Sequence, residues 1–368
     1  MLKWFLSIYR IGVISLLMQG QSLLIAGEAD NALPVSATRL SGNTGHCEED
    51  ALREKIVPES DWSPNSADSA RSFEGWLRWW QYLFLKKPIV MLWRYGGLRL
   101  WIYPGNEICR ALFVREVYNP NLVVVLQSLL SSGSVFIDAG AHIGDLALLA
   151  SRIVGKNGHV FAIEPSVRDF RRLVDNVNLN GLGNVISTHR LAVSDQNGKA
   201  NLLVASEERS SLNTLGVGIS SKGVENIGIE TVDSITLDDF AERKKITHID
   251  VLLLNIEGSE MRALKGAEKI IERFLPIIVL GVNNSALENN GTTCSALREL
   301  ITKMGYEMYK IAYEPTFALK KISLGDTIVG ICVCMPNGVN PPSLPQPEKS
   351  IARRIFEVII GWFSNKKS

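Results

Sequence analysis

A buried strand that ends in a carboxylate and opens through two glycines onto a helix constrains this chain most. The apolar run Val135–Ile137 is typical of a parallel strand that is covered on both faces. Asp138 follows, and Gly140 and Gly144 then permit a tight turn and let a ligand approach the backbone closely. Apolar residues at helical spacing occupy 146–154. The segment therefore predicts the first strand, loop and helix of a doubly wound sheet.

A second strand, predicted over 159–163, ends at Glu164. This residue lies 24 positions after Gly140, close to the distance at which an acidic residue meets ribose hydroxyls in doubly wound nucleotide sites. A carboxylate there can accept from two hydroxyl groups at once. The pair of strands therefore predicts a nucleoside cofactor, and a solvated strand end before Pro165 is the alternative for Glu164.

Two classes of nucleoside cofactor fit this geometry, nicotinamide dinucleotides and S-adenosylmethionine. A pyrophosphate needs the tighter G-x-G-x-x-G loop and no acid beside it. Here the loop is Asp138-x-Gly140-x-x-x-Gly144, in which the carboxylate suits a cationic amino-acid group instead. His142 lies inside this loop, where its side chain could donate to the loop backbone or approach the cofactor. The loop favours S-adenosylmethionine, although an Asp before Gly is also ordinary turn chemistry.

Five short motifs carry a resemblance to a known family. Taken in chain order, they resemble FkbM-type methyltransferases over about residues 95 to 315. The motifs are Asp138–Gly144, Ile163–Ser166, Asn178–Gly181, Ala192–Asp195 and Asn255–Glu260.

The resemblance implies an α/β fold, namely a class I methyltransferase, Rossmann-like, seven-stranded and mostly parallel sheet with helices on both faces. Alternating strand and helix patterns after Glu164 agree with this expectation. The last strand is expected to return antiparallel. Beyond the first two strands, we predict strands near 184–191, 200–205, 249–256, 276–282, 306–311 and 326–334.

The expected cofactor is S-adenosyl-L-methionine, held by residues at the ends of the first strands. The residues themselves indicate the strand-end acids and the loop glycines, and the resemblance adds residues that line an adenine pocket, for which a plain loop is the alternative. The candidate cofactor-binding residues are Asp138, Gly140, His142, Gly144, Glu164, Pro165, Ala192 and Ser194.

The chain departs from the family pattern at four polar positions near the expected site. Leu253 stands where Lys is usual, Asn255 where Asp is usual, Gly281 where Glu is usual and Asn283 where His is usual. Glu257 remains as the candidate base or acceptor-positioning residue, with Asn255 as a hydrogen-bonding partner of acceptor or donor. The alternative is that Glu257 caps a helix predicted over 259–273.

The resemblance implies transfer of a methyl group to a hydroxyl of a small molecule or saccharide. Because four charged groups are missing, a catalytically weakened cofactor-binding module with membrane or protein-partner contact is the first alternative. A nicotinamide oxidoreductase is the third hypothesis, which Asp138 disfavours. The sequence does not name the acceptor or the oligomeric state.

Length, charge and cysteine spacing exclude other classes. The 368 residues carry a formal net charge of +1, so no basic face argues for a nucleic-acid partner. The five cysteines are irregularly spaced and no His or Cys spacing matches a metal site, so we expect no metal. A small acceptor is the expected partner.

The flanking regions divide the chain further. We predict an apolar segment over 1–29, a signal or membrane anchor, a polar linker over 30–70, an aromatic and basic helical region over 71–94, the methyltransferase domain over 95–335, and a Pro-rich spacer with an amphipathic tail over 336–368.

The aromatic helix, predicted over 73–87, has two interpretations. Trp76, Trp79 and Trp80 with nearby basic residues suit the interface of a membrane, and a helix that caps the sheet is the alternative. Because an exported enzyme would lose its donor supply, we expect a cytoplasmic protein, with or without membrane association.

Overall fold

The computed structural model describes residues 73–93, 97–215, 226–312, 318–323, 326 and 328–345. The predicted apolar segment 1–29, the linker 30–70 and the amphipathic tail lie outside these residues. Part of the predicted Pro-rich spacer is described, and there Leu344 is buried against Val124 of the domain. The beginning of the spacer therefore packs on the domain.

The N-terminal layer consists of a helix, a hairpin and two further helices. Helix α1 ends earlier than predicted, and the apolar segment that follows forms a strand, a correction to the predicted helical region 71–94, because its backbone pairs in antiparallel register with the next strand. The bounds are α1 Phe73–Leu83, β1 Ile89–Trp93, β2 Leu98–Ile102, α2 Glu107–Arg115 and α3 Pro120–Leu129.

Helix α1 packs on the domain through one face. The Tyr82 hydroxyl is buried and lies 2.8 Å from the Asn106 carbonyl oxygen, to which it donates. One turn earlier on the same side of the helix, Trp79 is 41% exposed, and the Arg110 guanidinium lies 5.5 Å from the centre of its ring. Within the described part of the chain, no helix combines the length and the apolar character that crossing a membrane requires.

The predicted strand, loop and helix at 135–154 is present and is followed by a second such unit. Two parallel strands flank a helix that begins directly after Gly144, because the glycine adopts φ +89° and turns the chain. The bounds are β3 Val135–Ala139, α4 Asp145–Val154, β4 His159–Ile163, α5 Val167–Leu179 and β5 Ile186–His189.

A separate three-stranded sheet interrupts the alternation after β5. The strand predicted near 200–205 exists, but it pairs in this sheet and not in the core. The expectation that this strand belongs to the core sheet is therefore wrong. Only one face of the strand is covered, whereas core strands are covered on both faces. The bounds are β6 Ala192–Val193, β7 Gly198–Ala205 and β8 Asn226–Ile235.

The second half of the chain returns to the core sheet. The single helix predicted over 259–273 is two helices, because the backbone of Gly266 touches Ser194, where a Cβ would lie 2.2 Å from the carbonyl oxygen. The helices are α6 Leu237–Lys244, α7 Glu260–Lys265, α8 Glu268–Phe274, α9 Asn284–Asn289 and α10 Cys294–Lys303. The strands are β9 Val251–Leu254, β10 Ile277–Val282, β11 Tyr306–Ala312, β12 Ala318–Lys321 and β13 Gly330–Pro336.

The main sheet has the order β12-β11-β13-β10-β9-β3-β4-β5. Strands β5, β4, β3, β9 and β10 are parallel neighbours, and β13 runs antiparallel to β10 and β11. The predicted seven-stranded, mostly parallel sheet with an antiparallel last strand is therefore confirmed, and β12 adds an eighth strand at the edge. Two apolar clusters cover the two faces of this sheet.

Candidate functional site

A cleft follows the carboxyl ends of neighbouring parallel strands. Leu191–Val193 come after β5, Glu164 and Pro165 after β4, Gly140 and His142 after β3, and Asn255–Glu257 after β9. The cleft encloses about 890 Å³, including the part that opens to solvent. The predicted site residues Gly140, His142, Glu164, Pro165, Ala192, Asn255 and Glu257 all line it.

Gly140 lines the cleft with its backbone, at the point where the chain after β3 meets the chain after β9. Its φ is +89°, and an added Cβ would lie 2.3 Å from the Asn255 carbonyl oxygen. The backbone N–H groups of Gly140 and Ala141 both donate to the carbonyl oxygen of Ile163, at 2.9 and 3.1 Å. Only glycine fits this close approach, so Gly140 lets the end of β3 pack against the chain that follows β9.

Three of the predicted cofactor residues lie outside the cleft lining, and two of them, Gly144 and Ser194, contact other parts of the protein. Gly144 is not among the described residues that line the cleft, and an added Cβ would lie 2.5 Å from Leu173 Cδ1, which shows that it allows α4 and α5 to pack closely. Ser194 also lies outside the lining, and its hydroxyl donates to Asp195. Both positions therefore serve local structure here.

Glu164 is buried at the end of β4, where its carboxylate holds two loops together. Its Oε2 accepts from the backbone N–H of His142 and its Oε1 from that of Ser166, both at 2.9 Å. Burial and the charge of Asp169 raise the pKa of Glu164, and the two backbone N–H groups oppose this shift. Each oxygen retains a lone pair for a further donor such as a hydroxyl.

A network of paired charges lies on the first turns of α5 and beyond β7. We call Arg168, Asp169, Arg172 and Glu207 the paired rim. Arg168 contacts Asp169 at 3.1 Å, and Arg172 forms two hydrogen bonds with Glu207 at 2.9 and 2.7 Å. Burial favours protonated Asp169, but His142, Arg168 and Arg172 outweigh it and lower the pKa of Asp169. The rim is therefore ionised and internally neutralised.

His142 connects the glycine loop to this rim. Its φ is +49°, and its Nε2 lies 3.0 Å from Ser210 Oγ and 3.7 Å from Asp169 Oδ2. The imidazole thus contacts Ser210 and not the loop backbone, which corrects the first of the two interpretations. Burial lowers the pKa of His142, and the nearby Asp169 opposes this shift.

A second group of acids has no cationic partner within the part of the chain that the structure describes. We call Asp138, Glu257 and Glu260 the unpaired acids, because each has one buried carboxyl oxygen without a hydrogen-bond partner among the described residues. Burial raises the pKa of Asp138 to about 8, with a smaller contribution from Asp145. It raises the pKa of Glu257 and Glu260 to about 7. Asp138 itself does not line the cleft; it is buried two residues before Gly140.

The four departures from the family pattern are neighbours in this structure. Leu253 is the register partner of Asp138, so a Lys in its place would lie beside that carboxylate. A Cβ at Gly281 would lie 1.9 Å from Asn255 Oδ1, so the Asn255 side chain occupies the space that a side chain at 281 would fill. Asn283 caps α9 and interacts with Glu257. The substitutions at 255 and 281 have therefore compensated each other, whereas Leu253 leaves the Asp138 carboxyl group without a cation beside it in the sheet.

Glu257 does not cap a helix, contrary to the alternative derived from the sequence. Helix α7 begins at Glu260, whose Oε1 accepts from the backbone N–H of Ile256. Glu257 adopts φ +47°, a conformation that is uncommon for a residue with a side chain. Its carbonyl oxygen accepts from the Thr214 hydroxyl at 2.8 Å, and its side chain faces the cleft.

The structure adds residues that the sequence did not indicate. The segment 206–215, which follows β7, contributes several polar side chains to the cleft, and the chain between α2 and α3 contributes two more. The added polar residues are Tyr118, Asn119, Ser210, Ser211, Asn213 and Thr214. A polar run over 210–214 was the only local signal, and nothing in it indicates which element it contacts.

Comparisons with known proteins point to one family. The methyltransferase FkbM domain matches residues 138–308. A methyltransferase FkbM from Methylobacillus flagellatus is similar in structure, with 16% identity, a TM-score of 0.37, and coverage of 75% of this chain and 60% of the other. A SAM-dependent O-methyltransferase from Thermotoga maritima has 13% identity, a TM-score of 0.32, and coverage of 72% and 79%. No curated protein matches this chain.

Strand order and cleft define a class I methyltransferase domain of Rossmann type. Within this domain, residues 138–308 match the methyltransferase FkbM family. The chain spans 60% of the length of the M. flagellatus protein.

Proposed function

We propose that the cleft binds S-adenosylmethionine and that the protein transfers its methyl group to a hydroxyl of a small molecule or saccharide. One observation carries the proposal. Glu164, Gly140 and Glu257 follow three neighbouring strands in one cleft, whose described lining contains neither Lys nor Arg. Such a cleft suits a nucleoside with a cationic end and disfavours a pyrophosphate.

The order of the strands supports an orientation for the donor. Glu164 would accept from ribose hydroxyls, and the apolar residues after β5, including Ala192, would face the adenine. The Asp138 carboxylate would favour the donor's ammonium group at the end of β3, because one of its oxygens is buried without a partner among the described residues. Gly140 lines the cleft at the end of β3, next to these two positions. The residues present therefore fit this cofactor.

The acceptor would occupy the end of the cleft nearest β9. Tyr118, Ser211 and Thr214 provide hydroxyl groups there, and Asn255 provides an amide. S-adenosylmethionine supplies an electrophilic methyl group, and the acceptor hydroxyl must lose its proton as the methyl group is transferred. Glu257 is the carboxylate that lines this part of the cleft, and we assign it the role of base.

A weakened cofactor-binding module is the second hypothesis, because Leu253, Asn255, Gly281 and Asn283 lack the charges of the family pattern. However, the Asn255 side chain occupies the space that a side chain at 281 would fill. This observation favours a site whose packing has adjusted to the substitutions over a site that has lost its structure. Contact of the aromatic helix with a membrane surface stays a proposal for either hypothesis.

Calorimetric titration of one sample with S-adenosylhomocysteine and with NADH tests the cofactor. We expect saturable binding of S-adenosylhomocysteine and no binding of NADH, and the reverse result would contradict the proposal. A panel of hydroxylated acceptors, assayed by formation of S-adenosylhomocysteine, then tests catalysis. Intact cofactor binding without turnover across the panel would favour the binding-module hypothesis.

A further inference from the structure

A second carboxylate stands behind the acceptor end of the cleft. Glu107, the first residue of α2, accepts from both the backbone N–H and the hydroxyl of Ser211. Ser211 lines the cleft and contacts the Tyr118 phenol. The carboxylate of Glu107 therefore holds two hydroxyl-bearing side chains in place, although it is separated from Ser211 by 104 residues in the chain.

Glu107 also acts electrostatically on Glu257, which lines the same cleft as Ser211. The groups that act on Glu257 are Glu107 from α2, the Asn283 amide before α9, and Glu260 and Tyr118, each of which is coupled to it electrostatically. None of these groups is a cation. Burial first, and then the charge of Glu107, raise the pKa of Glu257 to about 7, which the Asn283 amide partly opposes. One oxygen of Glu257 has no partner among the described residues.

We propose that Glu107, together with burial, favours the protonated form of Glu257 in the donor-free protein, and that binding of the cationic donor displaces this proton, so that the base is fully ionised only in the donor complex. This inference rests on the proposed function. Glu257 would give its proton to solvent when the donor binds and would take the acceptor's hydroxyl proton during transfer. Each turnover would then release one proton in total, as methylation of a hydroxyl by a sulfonium requires. Glu107 would be a positioning residue.

The physical reason is that a positive charge in a buried, acidic cleft stabilises the ionised form of a neighbouring carboxyl group. S-adenosylhomocysteine lacks the sulfonium charge but has the same amino-acid group and nucleoside. Sinefungin has an ammonium group at the position of the methylated sulfur. A comparison of the three ligands therefore isolates the effect of this one charge, because contributions from Asp138 and Glu164 are common to all of them.

The test is calorimetric titration at pH 7 in buffers of different ionisation enthalpy, which counts the protons released on binding. From a Glu257 pKa of about 7, we expect S-adenosylmethionine and sinefungin to release about 0.4 proton more than S-adenosylhomocysteine. Equal proton release by all three ligands would overturn the inference and leave the proposed function intact. Failure of all three to bind would overturn both.

Two variants test whether the excess proton comes from Glu257. E257Q should abolish the excess release, and E107Q should reduce it, because Glu257 is then ionised before the donor binds. The amide oxygen introduced by E107Q can still accept from Ser211, so this variant keeps the local hydrogen bonds. E272Q, at an exposed position on α8, is the matched control and should retain the excess. An excess that persists in E257Q would contradict the assignment, and if either variant fails to fold, the three-ligand comparison in the parent protein decides.

Discussion

Two buried acidic regions border the same cleft and have opposite electrostatic character. Asp169 of the paired rim is 0% exposed and its pKa is lowered, whereas Asp138 is 1% exposed and its pKa is raised to about 8. Burial alone penalises both carboxylates equally. The difference is that Arg168 and Arg172 contact Asp169, whereas Leu253 is the register neighbour of Asp138. Cations, and not depth, decide the ionisation of these groups.

The comparison shows which of the two regions is already organised before a ligand binds. The paired rim is held by its own ion pairs, and Glu164 beside it has backbone donors on both oxygens. The unpaired acids have incomplete hydrogen bonding and lack a counter-charge among the described residues. A cationic ligand is therefore expected to stabilise the second region much more than the first.

The largest expected effect comes from supplying the missing cation. L253K would place an ammonium group beside Asp138, whereas L252K would place it on the opposite face of β9, in an apolar cluster. Because an uncompensated buried charge costs about 3–5 kcal/mol, L253K should be more stable than L252K by roughly that amount. Chemical denaturation of the two variants measures the difference.

A double variant sharpens this prediction. In the D138N background the ammonium group introduced by L253K has no carboxylate partner, so L253K should lose its advantage over L252K. If the two lysine variants are equally unstable with Asp138 present, then the two side chains do not interact, and the contrast between the two regions would have another cause.

The next effect concerns catalysis. E257Q should lower turnover by about 100-fold or more, because a general base contributes roughly 100- to 10,000-fold, while the affinity for S-adenosylhomocysteine changes little. Steady-state formation of S-adenosylhomocysteine, with a separate binding titration, checks both parts. Parent-like turnover of E257Q would remove Glu257 from the mechanism, and E272Q again serves as the control.

The sequence predicted the regular part of this architecture because that part depends on local patterns. The strand and loop at 135–144 and Glu164 at the end of the next strand follow from apolar runs and glycine positions, whereas the antiparallel last strand was implied by the resemblance to the methyltransferase family. The small sheet formed by β6, β7 and β8 was not predicted, because the pattern of apolar and polar residues along a strand does not reveal which sheet the strand joins.

The acceptor end could not be predicted for a different reason. Glu107 and Ser211 are brought together across 104 residues, and neither stands in a recognisable motif. The departures at Asn255 and Gly281 suggested two lost charges. In the structure, the Asn255 side chain fills the space that a side chain at position 281 would occupy. Compensation of this kind depends on which strands are neighbours, and the sequence alone predicted only that both lie near the site.

The next prediction concerns pH. Asp138 has a pKa of about 8 in the folded protein and about 3.8 when unfolded, so between these values the folded state binds more protons. The free energy of unfolding of the donor-free protein should therefore fall as pH rises from 4 to 8. D138N should flatten this decline, most clearly between pH 7 and 8, above the pKa of Glu257 and Glu260. Thermal denaturation from pH 5 to 9 measures it, and parallel curves for parent and variant would contradict the burial of an unpaired Asp138.

The smallest expected effect distinguishes Glu164 from Asp138 directly. E164Q should weaken S-adenosylhomocysteine binding about tenfold, because charge-assisted hydrogen bonds contribute about 1.5–3 kcal/mol. It should also lower the melting temperature, since the amide group of Gln must face one of the backbone N–H groups that Glu164 now accepts from. D138N should weaken binding without this loss, because its free oxygen has no described partner to lose. Calorimetry and thermal denaturation of both variants at pH 7 test the contrast. Equal melting temperatures for E164Q and the parent would show that the two backbone hydrogen bonds contribute little, and the distinction between the regions would then rest on the arginines alone.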